Sequence, residues 1–229
     1  YSFSARLFRQ TRFVWLAGLL SFIPWTILTH LGWFTTYRLR TSGFAASWVA
    51  LAWGLFLTAL WVQRRTERRY ALPLKVICHA LIAFSLNWNF YDAEASRYSF
   101  GLALGLYVFA AWLDHRRAKT AEGELSALGL SKYLFPAMGL LPVWSLYWLN
   151  LLSGANVEHY GILLLIFGPL GLAAGQWLGR RAPKPILAKA YAFPAYLFGY
   201  VAMVAGTLLV SEDSALLVMV LLYDALMML

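Results

Sequence analysis

Positive charge alternates from loop to loop along this chain, and that alternation constrains the fold more than any other feature. Eight apolar segments, at about 12–35, 44–63, 71–91, 97–114, 133–153, 159–178, 186–210 and 214–229, are separated by short polar connections. The N-terminus carries Arg6, Arg9 and Arg12, and the second loop Arg64, Arg65, Arg68, Arg69 and Lys75. The fourth loop carries Arg116, Arg117, Lys119 and Lys132, and the sixth Arg180, Arg181, Lys184 and Lys189. Sixteen of the nineteen Lys and Arg residues thus fall on one side, against Arg38, Arg40 and Arg97 on the other. Loop Lys and Arg accumulate on the cytoplasmic side of a membrane. The expected orientation puts the N-terminus and the even loops in the cytoplasm of a bacterial-type inner or plasma membrane. Asp92, Glu94, Glu158, Glu212 and Asp213 lie in or beside the opposite loops, which fits the same orientation.

Each segment approaches the roughly 20 residues that a helix needs to cross a hydrocarbon core of about 30 Å. Hydrophobic residues make up 61% of the chain and charged residues only 13%, too few charges to cover a water-facing surface. A lipid-embedded backbone must satisfy its own hydrogen bonds, so unbroken apolar runs predict helices, whereas barrel strands would alternate. The expected fold is an all-α integral membrane protein with eight transmembrane helices. The net charge of +9 raises nucleic acid as a partner, but its confinement to short loops argues against it. Membrane lipid is the expected surrounding, and the eleven Trp and thirteen Tyr suit the membrane–water boundary.

The two halves resemble each other. "LFLTALWVQRR" closes the second segment and "LGLAAGQWLGRR" the sixth, with Trp61 and Trp177 each close to an Arg pair. The next segments open "LPLKVICHAL" and "ILAKAYAFPAY", which matches Lys75 with Lys189. We read a first four-helix repeat over 1–115, a cytoplasmic linker over 116–132 and a second four-helix repeat over 133–229. An even number of helices per unit makes the repeats parallel. Pro24 and Pro142 are nearly matched in the first and fifth segments. In the linker, Thr120 to Leu128 is expected to form a short interfacial helix ended by Gly129, with Ser131 capping the next segment. The last segment stops at Leu229 without the basic flank that follows the fourth, so the second repeat is expected to be incomplete at its C-terminal end.

Polar groups at membrane depth are the candidate functional residues. Asp224, ten residues into the last segment, falls near the midplane, where a charged Asp costs about 2.5–3.5 kcal/mol. It can serve as a proton or cation site, or remain protonated inside the bundle. His79 lies at comparable depth on the third segment and is a possible partner. No cofactor is otherwise expected, though His79 alone could ligate haem or a chlorophyll-type magnesium. "SLNWNFYD" places Asn87 and Asn89 in a polar–aromatic cluster at the outer end of the third segment, where they can line a site or belong to an interface belt. Tyr196, with Tyr191, Tyr200 and Tyr223, adds hydroxyls within the bundle, and Tyr196 could reach Asp224. The lone Cys78 excludes an intrachain disulfide, and no motif with metal-ligand spacing occurs.

No catalytic constellation is visible. The expected function is therefore a non-enzymatic polytopic membrane module, a sensor or anchoring domain of a longer protein or a scaffold subunit of a membrane complex. Other membrane subunits or a second copy are its possible partners. The alternative is a transporter or lipid-handling protein that uses Asp224 at the midplane.

Overall fold

The computed structural model describes residues 10–30, 43–65, 68–90, 92–118, 123–153, 156–182, 188–210 and 218. Among them the chain is helical, without strands: α1 Arg12–Leu20, α2 Phe22–His30, α3 Gly43–Arg65, α4 Arg68–Trp88, α5 Ala93–Ala118, α6 Gly123–Ser153, α7 Val157–Arg181 and α8 Ala188–Val210. Five apolar stretches are long enough to cross a membrane: Arg12–Thr29, spanning α1 and α2, then α3, most of α4, α7 and most of α8. α5 is long but not in that set; Arg97 and Asp114 bracket its apolar run. Seven of the eight expected segments coincide with helix. The eighth, 214–229, lies outside the described residues except for Val218, so a count of eight is not reached.

Two expectations need correction. Within the first segment Ser21, itself in a helical conformation, interrupts the hydrogen-bond ladder between α1 and α2, though Arg12–Thr29 as a whole is long enough to cross. Pro24 has no N–H to give the carbonyl of Leu20, the last residue of α1, and this lost bond accounts for the break. Conversely, α6 runs unbroken from Gly123 through Gly129, Ser131, Pro136 and Pro142. Gly129 does not stop it and Ser131 does not cap it, since a helical Gly costs only about 1 kcal/mol and the turns either side continue the ladder.

The chain divides into two compact units, 1–103 and 104–229. In the first, α3 buries one stripe, Ala45, Trp48, Val49, Ala52, Phe56 and Ala59, at helical spacing. It packs on α4, whose Ala71, Leu74, Ile77, Cys78, Leu81 and Ile82 are likewise buried. Gly18 of α1 is buried against Ile77, whose terminal Cδ1 would have to move aside for a Cβ there. Two indole donors fasten α2 to α3: Trp25 Nε1 donates to the Ser47 carbonyl at 2.9 Å and Trp48 Nε1 to Thr26 Oγ1 at 3.1 Å. The Trp48 ring, 5% exposed, lies 5.2 Å from Phe22, 5.3 Å from Phe84 and 5.6 Å from Trp88 by centroid.

In the second unit α7 and α8 form an antiparallel pair packed backbone to backbone. Gly161, Gly168, Gly171 and Gly175 of α7 are buried and meet Ala195, Gly199, Met203 and Gly206 of α8. A Cβ on Gly171 would lie 2.8 Å from Gly199 Cα, and one on Gly199 would lie 2.8 Å from the Gly168 carbonyl. Lipid tails are as apolar as Leu, so helices in a membrane associate through such close van der Waals fit. The outward face of α8, with Leu197, Val201, Val204 and Leu208 exposed, suits contact with acyl chains rather than water.

Candidate functional site

Of the five residues singled out from sequence, His79, Asn87 and Asn89 lie on or just after α4, and Tyr196 lies on α8. Asp224 lies outside the described residues, and with it Tyr223 and both suggested pairings, His79–Asp224 and Tyr196–Asp224. His79 is half-buried on α4, one turn beyond Lys75. Among the described residues no three His, Cys, Asp or Glu side chains come together as a metal site.

Asn87 and Asn89 separate by burial. Asn87 is exposed, whereas Asn89 is 2% exposed. Asn89 Nδ2 donates to Ser99 Oγ at 3.3 Å, and the Ser96 hydroxyl donates to the Asn89 carbonyl. Asp92 accepts from the Ala95 N–H at 3.1 Å and so caps α5. Ser85, Ser96 and Ser99 are also buried there, and Ser85 Oγ donates to the Leu81 carbonyl at 2.6 Å. This polar knot closes the turn between α4 and α5 and satisfies its own groups, as buried polar groups require. Beside it Arg97 stacks over Tyr98 at 4.6 Å and pairs with Glu94 at 3.9 Å.

The basic helix ends share another arrangement. Arg65 lies over the Trp61 ring at 5.9 Å, Arg116 over Trp112 at 3.9 Å and Arg181 over Trp177 at 4.8 Å. Each pair is spaced i,i+4, which brings both side chains to one face of the helix. All three Trp rings are exposed. A ring that carries a cation over its face suits the membrane boundary, with the indole in the headgroup layer and the guanidinium towards water. The sequence places Trp61 and Trp177 beside Arg pairs; "WLDHRR" in α5 carries a third instance at the same spacing.

At one of these ends the structure opens. A groove of about 490 Å³ lies between the last turn of α7 and the first turns of α8. Gln176 and Arg180 line it from α7, and Lys189, Ala192, Phe193 and Tyr196 from α8. Among the described residues its lining carries two cations and an amide and no carboxylate, beside apolar side chains. Gly179 also lines it, while the Tyr196 ring rests against Gly175. Tyr196, selected from the sequence, thus lines a groove. Nearby, Tyr191 is buried with Ala111 among Tyr133, Leu134 and Leu178, and the His115 ring meets it edge-on at 5.8 Å.

The two units differ at this level. In the first, Lys75 Nζ donates to Gln63 Oε1 at 3.1 Å. Gln63 stands two residues after Trp61, and the residue two after Trp177 is Gly179. In the second unit Lys189 is exposed at the groove.

No protein-family model, curated protein or solved structure matches this chain.

Proposed function

We propose that this chain is a non-enzymatic polytopic membrane module, an anchoring or sensor domain of a longer protein or a scaffold subunit of a membrane complex. The observation that carries the reading is how the interior is used. The buried polar groups between α4 and α5 are spent on one another, and α7 and α8 meet backbone to backbone. Both features spend interior surface on packing within their own unit, which supports an anchoring or scaffold role. The module is read as eight helices in two parallel repeats, 1–115 and 133–229, joined by a cytoplasmic segment at 116–132. The Trp–Arg pairs at the ends of α3, α5 and α7 support the orientation that puts those ends in the cytoplasm of a bacterial-type membrane.

A carrier that couples to protons through Asp224 is the competing reading, and the amphipathic groove at Tyr196 favours its lipid-handling form. Purified protein reconstituted with a pH-sensitive dye inside the vesicles separates the two under an imposed potassium diffusion potential. The module predicts dye traces equal to those of empty vesicles. Proton entry through the wild type that disappears in Asp224→Asn would establish the carrier instead.

A further inference from the structure

We propose that the groove between α7 and α8 binds the phosphate headgroup of an anionic phospholipid. This rests on α7 and α8 crossing a membrane and not on the anchoring role. The rim supplies Arg180, whose planar fork can donate two bonds to one phosphate, and Lys189, a compact cation on the facing helix. Gln176 adds an amide donor. No carboxylate lies among the described lining residues, so none of them repels an anion there.

The position of the groove matches that of a headgroup. Trp177, paired with Arg181 at 4.8 Å, marks the boundary layer on the same turn of α7. Below the rim Phe193 is 57% exposed, and Leu197, Val201, Val204 and Leu208 continue an exposed apolar stripe along α8. An acyl chain attached to a phosphate at the rim can lie along that stripe. A free phosphate would use the rim and leave the stripe uncovered. Basic pockets between membrane helices on the cytoplasmic side suit anionic headgroups. The comparison within the chain gives the origin of the site: where Gln63 meets Lys75 in the first unit, Gly179 leaves the space beside Lys189 open.

Native mass spectrometry of the full chain, titrated with equal amounts of phosphatidylglycerol and phosphatidylcholine, tests the assignment. The wild type should retain phosphatidylglycerol roughly tenfold more tightly or better, given two basic contacts. The Arg180→Gln/Lys189→Gln variant should lose that preference, while Arg64→Gln/Arg65→Gln, which removes the same charge from α3, should keep it. Gly179→Gln keeps every charge and fills the groove; it too should lose the preference, which covers a failure of the double variant to fold. Millimolar inorganic phosphate should leave lipid binding unchanged. No headgroup preference in the wild type overturns the proposal. So does equal loss in the α3 variant, which would mean diffuse surface charge, or competition by inorganic phosphate, which would mean a free-anion site. A negative result here leaves the vesicle flux test of the module untouched.

Discussion

At the scale of single residues, the structure separates two asparagines that look equivalent in "SLNWNFYD". Both are polar, both end a membrane helix, and both suit an outward-facing binding site. Burial distinguishes them: Asn89 joins Ser96 and Ser99 in a closed knot, and Asn87 stands exposed. Removing a partner from a buried network leaves other groups unsatisfied, at a cost of about 1–3 kcal/mol. Asn89→Ala is therefore expected to lower the unfolding free energy by about that much, and Asn87→Ala to change it by less than about 0.5 kcal/mol. Thermal unfolding of the two variants in detergent, followed by helical circular dichroism, gives the comparison. Equal effects would mean that the knot contributes nothing particular. The sequence could show that polar residues cluster here. It could not show which of them face inward, because that depends on the turn between α4 and α5 and on the serines that α5 returns to the same place.

At the scale of helices, hydropathy was the dependable guide and the small residues were not. Each expected segment within the described residues coincides with helix, since apolar length and backbone self-satisfaction leave no other choice in lipid. The prolines were harder to read. Pro24 and Pro142 looked like matched interruptions, yet Pro24 follows a break and Pro142 lies inside the unbroken α6. A proline removes one hydrogen bond in either case, and the surrounding turns decide whether the helix parts. The glycines of α7 and α8 carry the sharper consequence. A Cβ at Gly199 would meet the Gly168 carbonyl at 2.8 Å and the Leu172 nitrogen at 3.0 Å, both backbone atoms that cannot turn aside. At Gly54 of α3 an added Cβ meets nothing within 4 Å. Gly199→Ala is expected to force the pair apart and destabilise by about 1–3 kcal/mol. Gly54→Ala should stabilise by about 0.5–1 kcal/mol, through the helix preference of alanine alone. Unfolding in a denaturing detergent reads both signs. A stabilised Gly199→Ala would mean that α7 and α8 are not in backbone contact.

At the scale of the whole molecule, orientation is an expectation from charge counts, and the stacked Trp–Arg pairs mark one end of the helices that carry them. A charge count treats each Lys or Arg alike. The stacked Trp–Arg pairs are more particular, since each fixes an indole and a guanidinium at one end of a helix. The pairs terminate α3, α5 and α7, helices that the charge alternation sends in the same direction. Labelling with a membrane-impermeant maleimide tests this directly. Cys78, fully buried, is expected to remain silent and can in any case be replaced by Ala. On that background Glu158→Cys, exposed at the first turn of α7, should be modified in intact cells. Lys132→Cys, exposed on α6, should be modified only after the membrane is opened. The reverse pattern would invert the molecule and move the groove at Arg180 and Lys189 to the outer leaflet. Modification of both positions in intact cells would mean that α6 does not cross between them, and the span assignment of the second repeat would fall with it.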